Sequence, residues 1–113
     1  MTTVSKAKQK GTAAETKVVN YLNSQGYPLV ERRTLSGIHD KGDIAGLPVA
    51  VEVKDHARPN ITGWVAEAER EGINAGALAG VAWHKKRGTT DPGEWIVSMK
   101  GSEFIKILGV LTP

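Results

Sequence analysis

The sequence predicts an α/β domain: a mixed β-sheet flanked by helices, with elements in the order α-β-β-β-α-β-β-α. Three observations lead there. Val49, Val51 and Val53 alternate with Ala50, Glu52 and Lys54, a period of two that marks a strand. Ile61, Trp64, Val65 and Ala68 then recur at helical spacing. A second buried-type strand, residues 78–84, follows that helix. A strand–helix–strand passage implies parallel pairing with a helix on the sheet face.

The remaining elements fill in around this centre. Residues 1–10 read as a flexible basic tail, with Lys6, Lys8 and Lys10 among small and polar residues. Residues 11–113 form the single domain. Its first helix is expected over residues 12–24, opened by Thr12 and Glu15 as a capping box. Ala14, Val18, Tyr21 and Leu22 give it an apolar stripe, and Gly26 and Pro28 stop it. Glu15 lies at the edge of that stripe. Residues 27–35 read as a first strand and Ser36-Gly37 as a turn. Residues 41–45 and 49–54 then form two short strands joined through Gly46, Leu47 and Pro48. Asn60 or Thr62 caps the second helix, with Glu67, Glu69, Arg70 and Glu71 mostly outside. After the strand at 78–84 comes the basic turn Lys85-Lys86-Arg87-Gly88. Asp91-Pro92-Gly93 leads into a strand at 94–99. Ser102 is expected to cap a last helix bearing Phe104, Ile105, Leu108 and Leu111.

Composition narrows the function classes. The 113 residues are 40 % hydrophobic and 24 % charged, enough for one folded core. Fifteen basic against twelve acidic residues give +3, with a pI of about 9.3, a balance that suits an anionic partner. Cysteine is absent, which removes disulfides, thiolate metal sites and a Cys nucleophile. No apolar run approaches the roughly 20 residues of a membrane span. The polar N-terminus lacks the apolar core of a signal peptide. The expectation is a cytoplasmic domain without a membrane partner.

The stretch most informative for chemistry is residues 42–54. Glu52 and Lys54 share one face of a strand. A hairpin closed between Leu47 and Pro48 puts Asp43 opposite Glu52, so two carboxylates and a lysine converge within about 5–8 Å. Carboxylates that close repel unless a cation lies between them. Mg²⁺, a hard cation taking oxygen ligands, suits the gap. Bound there, it can stabilise charge on a phosphoryl group. Lys54 can hold or activate an attacking water, or stabilise an oxyanion.

Glu15 in a first helix, then Gly42-Asp43, then Glu52-Val53-Lys54, then a helix bearing Trp64, resembles the PD-(D/E)XK nuclease superfamily. Within it the chain looks most like the small Holliday-junction resolvases and their phage-encoded relatives, over residues 11–99. Gly42 stands where the name-giving motif has proline. The resemblance implies a restriction-endonuclease-like core and hydrolysis of phosphodiesters to a 5′-phosphate and a 3′-hydroxyl. It implies that Asp43, Glu52 and the Val53 carbonyl bind a divalent metal, Mg²⁺ or Mn²⁺. Lys54 would position the water nucleophile. Glu15 would bind metal directly or through water, or else serve only as the capping partner of Thr12.

Other candidates surround this set. His39, Asp40, Asp55 and His56 flank it as outer-shell groups or solvated loop residues. Arg32, Arg33, Lys85, Lys86 and Arg87 are candidate DNA phosphate contacts. Trp64 is expected in the core, and Trp83 and Trp95 in the sheet. No zinc spacing, nucleotide-binding glycine loop or serine nucleophile motif is present. The expected activity is therefore a Mg²⁺-dependent, structure-selective DNA endonuclease of the Holliday-junction resolvase kind, acting as a homodimer. The alternatives are a nuclease of the same fold acting on flap, single-stranded or linear duplex DNA, a non-catalytic DNA-binding module, and a protein-interaction domain.

Overall fold

A computed structural model describes residues 5–33 and 40–112. Its order is α1 (Lys6–Ser24), β1 (Glu31–Arg32), β2 (Ile44–Ala45), β3 (Ala50–Lys54), α2 (Ile61–Ala75), β4 (Gly80–His84), β5 (Ile96–Ser98) and α3 (Gly101–Leu111), with a 3-10 turn at Pro92–Glu94 before β5. This is the mixed α/β order that the patterning predicts. Ser36, Gly37 and His39, and the end of the expected first strand, lie outside the described residues.

Helix α1 starts at Lys6, ahead of the expected Thr12. Ser5 is its N-cap, accepting from the Lys8 amide at 3.2 Å. The expected tail is therefore helical from Lys6 onward, though exposed. Nothing in the Lys-rich turn repeats apolarly, so periodicity could not detect it. Thr12 lies inside the helix, where its carbonyl accepts the Thr16 hydroxyl. The capping box of Thr12 and Glu15 does not exist. Ala14, Val18 and Leu22 are buried at the i, i+4, i+8 spacing, and Tyr21 meets Trp83 edge to face at 6.0 Å.

The strands form two small sheets. β1 and β2 pair antiparallel, Arg32 opposite Ile44. β3 and β4 pair parallel, Glu52 opposite Ala82, and β5 adds antiparallel to β4. Helix α2 makes the crossover between the parallel strands. The sheets touch where the Asp43 amide donates to the Val51 carbonyl at 2.8 Å. The first and second strands are shorter than expected. Gly42 stands at φ +96°, which interrupts the extended chain just before β2.

The period of two in β3 sorts the interior. Val51, Val53 and Val81 join Ala14, Val18, Leu22, Val30, Ile44 and Trp95 in the larger core cluster, beside α1. Ala82 packs with Trp64 and Val65 of α2. Gly80 lets α2 lie against β4: a Cβ there would stand 1.8 Å from the Ala68 carbonyl oxygen. Asn60 caps α2 by accepting from the Gly63 amide, as expected.

Two further readings change. Lys100, not Ser102, takes the N-cap position of α3, with no side-chain cap bond. Glu71, expected outside, is buried on the inner side of α2. Glu103 is the buried anchor of α3, accepting from the Gly80 amide at 3.0 Å. Phe104, Ile105, Leu108, Val110 and Leu111 of that helix are exposed. Among the described residues, no helix is long and apolar enough to cross a membrane.

Candidate functional site

The site lies along the free edge and the α2 face of β3. In the parallel pair, Ala50 donates to Ala79 and Lys54 accepts from Lys85, so those backbone groups point to β4. Val51 and Val53 point to the opposite edge. Asp43 occupies that edge: its amide donates to the Val51 carbonyl, and its Oδ2 accepts from the Val53 amide at 2.7 Å. These two bonds bracket Glu52. The Asp43–Glu52 juxtaposition expected from a hairpin is thus present, although β2 and β3 form no regular ladder. The Val53 carbonyl faces the same edge as Asp43 by the same alternation.

Glu52 and Lys54 share the α2 face, with Lys54 Nζ 3.2 Å from Glu52 Oε1. Helix α2 contributes two residues that the sequence reading left outside. Glu67 holds Lys54 Nζ with both oxygens, at 3.0 and 3.1 Å. Glu71 is 2 % exposed, and among the described residues its oxygens have no hydrogen-bond donor unless Glu52 is protonated. Their signal was in the spacing: Trp64, Ala68 and Glu71 follow i, i+4, i+7, which puts Glu71 on the buried stripe. From the loop before β2, Asp40 accepts from the Gly42 amide at 2.8 Å. One carboxylate oxygen from each of Asp40, Glu52 and Glu71 lies within 4.8 Å of the others.

Glu15 approaches from α1. Its carboxylate pairs with Arg32 Nε at 3.2 Å, and its charge is felt at Asp43. With the capping box gone, this half-buried pair is its observed contact. Arg32 is therefore not a free phosphate contact. The Arg33 amide donates to the Asp43 carbonyl, and its Nε is buried without a partner among the described residues.

Electrostatics follow from this crowding. Six carboxylates, Glu15, Asp40, Asp43, Glu52, Glu67 and Glu71, surround two bonded cations, Lys54 and Arg32. Burial, then the Glu52 charge, pushes Asp43 up to about 8 against the pull of the Val53 amide. Burial, then the neighbouring Glu71, pushes Glu52 up to about 9. Burial likewise carries Glu71 to about 7, although a proton shared from Glu52 lowers it. For Lys54, burial alone favours the neutral amine, but Glu52 and Glu67 outweigh it and hold the ammonium above its ordinary value. Lys54 is thus a proton-bearing group at neutral pH, suited to holding water or phosphoryl oxygen rather than to accepting a proton.

The donor set fits a hard divalent cation. All the side-chain ligands are oxygens, they repel one another, and the Glu52 Oε2 and Glu71 oxygens are orphaned by the fold. Asp43, Glu52 and the Val53 carbonyl could hold such an ion at the edge of β3.

Asp55 and His56 stand outside this cluster. Asp55 pairs with Lys10 at 3.4 Å and lies 3.9 Å from Lys85. Lys10, Asp55, His56, Lys85 and Arg87 line a cleft of about 270 Å³, and Lys86 is exposed beside it. His56 stacks near Trp64 at 5.7 Å between centroids. Trp64 is buried against His84, and His84 bonds Ser98 at 2.8 Å. Trp95 is buried and Trp83 half-buried. No protein-family model matches the chain, and neither a curated protein nor a solved structure does.

Proposed function

We propose that this chain is a divalent-metal-dependent DNA endonuclease of the PD-(D/E)XK kind, with a restriction-endonuclease-like core, selective for branched DNA such as a four-way junction. The observation that carries this reading is the convergence of Asp43, Glu52 and Lys54 on one strand edge, with Lys54 Nζ 3.2 Å from Glu52. Buried charges of this density are rare without a ligand or a reaction to serve.

Asp43, Glu52 and the Val53 carbonyl would hold Mg²⁺ or Mn²⁺, with Glu15 as a ligand or through water. The ion supplies a Lewis acid for the scissile phosphate. Lys54 orients the attacking water and donates to the phosphoryl oxygens as charge builds there. Water oxygen forms the new bond to phosphorus and the 3′-oxygen leaves, giving a 5′-phosphate and a 3′-hydroxyl. Glu67 fixes the Lys54 rotamer, and Arg32 fixes Glu15. The cleft with Lys10, Lys85 and Arg87 opens immediately after Lys54 in β3, where the backbone of a bound strand can continue.

A domain of this size reads DNA shape and backbone in preference to sequence. Symmetric cutting of a junction needs two sites, so the active species is a homodimer. The exposed apolar side of α3 is the surface that supports this. Sedimentation velocity at micromolar concentration, with and without junction, tests it, and a monomer in both would refute it.

The test of function is cleavage of an end-labelled four-way junction in Mg²⁺, beside linear duplex of the same sequence, with Glu52→Ala as control. Paired nicks near the crossover, lost in the variant, are expected. Nicking of linear duplex, flaps or single strands alone would assign another nuclease substrate. Binding without a cut in Mg²⁺ or Mn²⁺ would make the chain a DNA-binding module.

A further inference from the structure

Beside Glu52, the structure holds a feature that the proposed reaction leaves unused. Glu71 is buried to 2 % exposure, and among the described residues its two oxygens receive no hydrogen bond unless Glu52 carries a proton. It lies beside Glu52, also buried, whose Oε2 has no partner among the described residues, and the two share an oxygen cluster with Asp40 within 4.8 Å. Lys54 is already engaged by Glu52 Oε1 and both Glu67 oxygens. A buried carboxylate without a donor is among the costlier groups a fold can carry. Glu71 could have been any apolar residue of the α2 stripe that holds Trp64 and Ala68.

We propose that Asp40, Glu52 and Glu71 form a second divalent-cation site, adjoining the one at Asp43 and sharing Glu52 with it. Three carboxylates from three separate elements give a hard cation its oxygen ligands and leave positions for water. One ion there ties the loop at Asp40 and β3 to α2. Asp40 accepts from the Gly42 amide, and Gly42 precedes Asp43, so the ion also steadies the backbone that carries Asp43. The role beside the reaction rests on the nuclease reading, whereas the binding itself does not.

The test is Mn²⁺ binding to the full chain without DNA, followed by electron paramagnetic resonance and calorimetry at neutral pH, with thermal unfolding alongside. The wild type is expected to take about two ions per chain. Glu71→Gln is expected to lose one of them, weakening that site by about 100-fold, while Asp43→Asn loses the other and keeps the Glu71-dependent ion. Asp40→Asn, at a half-buried loop position, should weaken the same ion as Glu71→Gln and covers the case in which the helix variant fails to fold. Saturating Mn²⁺ should raise the unfolding temperature of Asp43→Asn and of Glu71→Gln, each through its one remaining ion and each by less than in the wild type.

Unchanged stoichiometry and affinity in Glu71→Gln and Asp40→Asn would overturn the proposal, leaving Glu52 and Glu71 as a pair that shares a proton. A single ion abolished by Asp43→Asn would overturn it as well. Junction cleavage separates the two readings. Glu71-dependent binding with no cleavage refutes the nuclease and supports this site. Cleavage with Glu71-independent binding does the reverse.

Discussion

In the absence of metal, the folded protein should lose stability as pH rises from 5 to 7. Asp43, Glu52 and Glu71 have ordinary values of 3.8, 4.5 and 4.5, and the fold moves them to about 8, 9 and 7. A carboxyl raised in the folded state carries no penalty below its unfolded value. The penalty grows as pH climbs toward the folded value, because the unfolded chain releases a proton that the fold keeps. Above the folded value it stays constant. Each proton so retained lowers the unfolding free energy by about 1.4 kcal/mol per pH unit. The three groups are coupled through shared neighbours, so the smallest expectation is one retained proton. That alone gives a loss of about 2.7 kcal/mol between pH 5 and 7, a large share of the 5–15 kcal/mol typical of a domain. Burial depresses the titration of His84, which acts in the opposite direction over part of this range. The comparison with Glu52→Gln isolates the cluster, since that variant retains His84. Urea unfolding followed by circular dichroism, in EDTA, at half-unit pH steps, measures both. Wild-type stability should fall relative to Glu52→Gln across the window, and millimolar Mg²⁺ should flatten the difference. A wild-type curve parallel to the variant's from pH 5 to 7 would refute the buried-charge account of the site.

Further predictions address separate parts of the molecule. Lys54→Met should reduce cleavage by about 10²–10⁴-fold while leaving Mn²⁺ affinity unchanged or tighter, because a donor is lost and a competing charge removed; cleavage rates and calorimetry read the two together. Lys85→Ala with Arg87→Ala should weaken DNA binding equally across sequences and reduce the slope of log affinity on log salt by about 2, as retardation assays at several salt concentrations would show. Gly80→Ala puts a methyl against the Ala68 carbonyl oxygen and should destabilise by about 3 kcal/mol or more in the same urea assay. Gly42→Pro should abolish both Mn²⁺ binding at the Asp43 site and cleavage. Proline is locked near φ −65° and cannot take up +96°, and its missing amide removes the bond to Asp40.

Most of the element order was legible because the chain sorts its apolar residues cleanly. Val51 and Val53 face the larger cluster while Glu52 and Lys54 turn to α2, and that division is visible in the alternation alone. The first helix was mistaken at its start because Ser5 caps a polar turn with no apolar repeat to announce it. The first strand shrank to two residues. Tyr27 is exposed and Leu29 nearly fully so, leaving Val30 as the buried residue of that approach. Local composition there resembles a strand, but the neighbouring sheet is too small to extend the pairing.

The site shows a different division. Asp43, Glu52 and Lys54 were visible because they lie in one short stretch where strand geometry converts sequence distance into spatial distance. Glu67 and Glu71 were hidden because helix α2 is amphipathic in two senses at once. Its apolar stripe covers β4 through Trp64, Val65 and Ala68, and the same stripe continues into Glu71, where the sheet presents Glu52 instead of a hydrophobe. A reader who assigns glutamates on a helix to the solvent side will misplace this one. The sharper rule follows from burial costs: once a strand is known to carry a carboxylate on its covered face, the helix crossing that face must meet it with a cation, a donor or a metal ligand. Glu67 meets the Lys54 ammonium and satisfies the rule directly. Glu71 meets Glu52 and satisfies it only with a shared proton or a bound cation, so the charge state of this one side chain links the packing of α2 to the occupancy of the site.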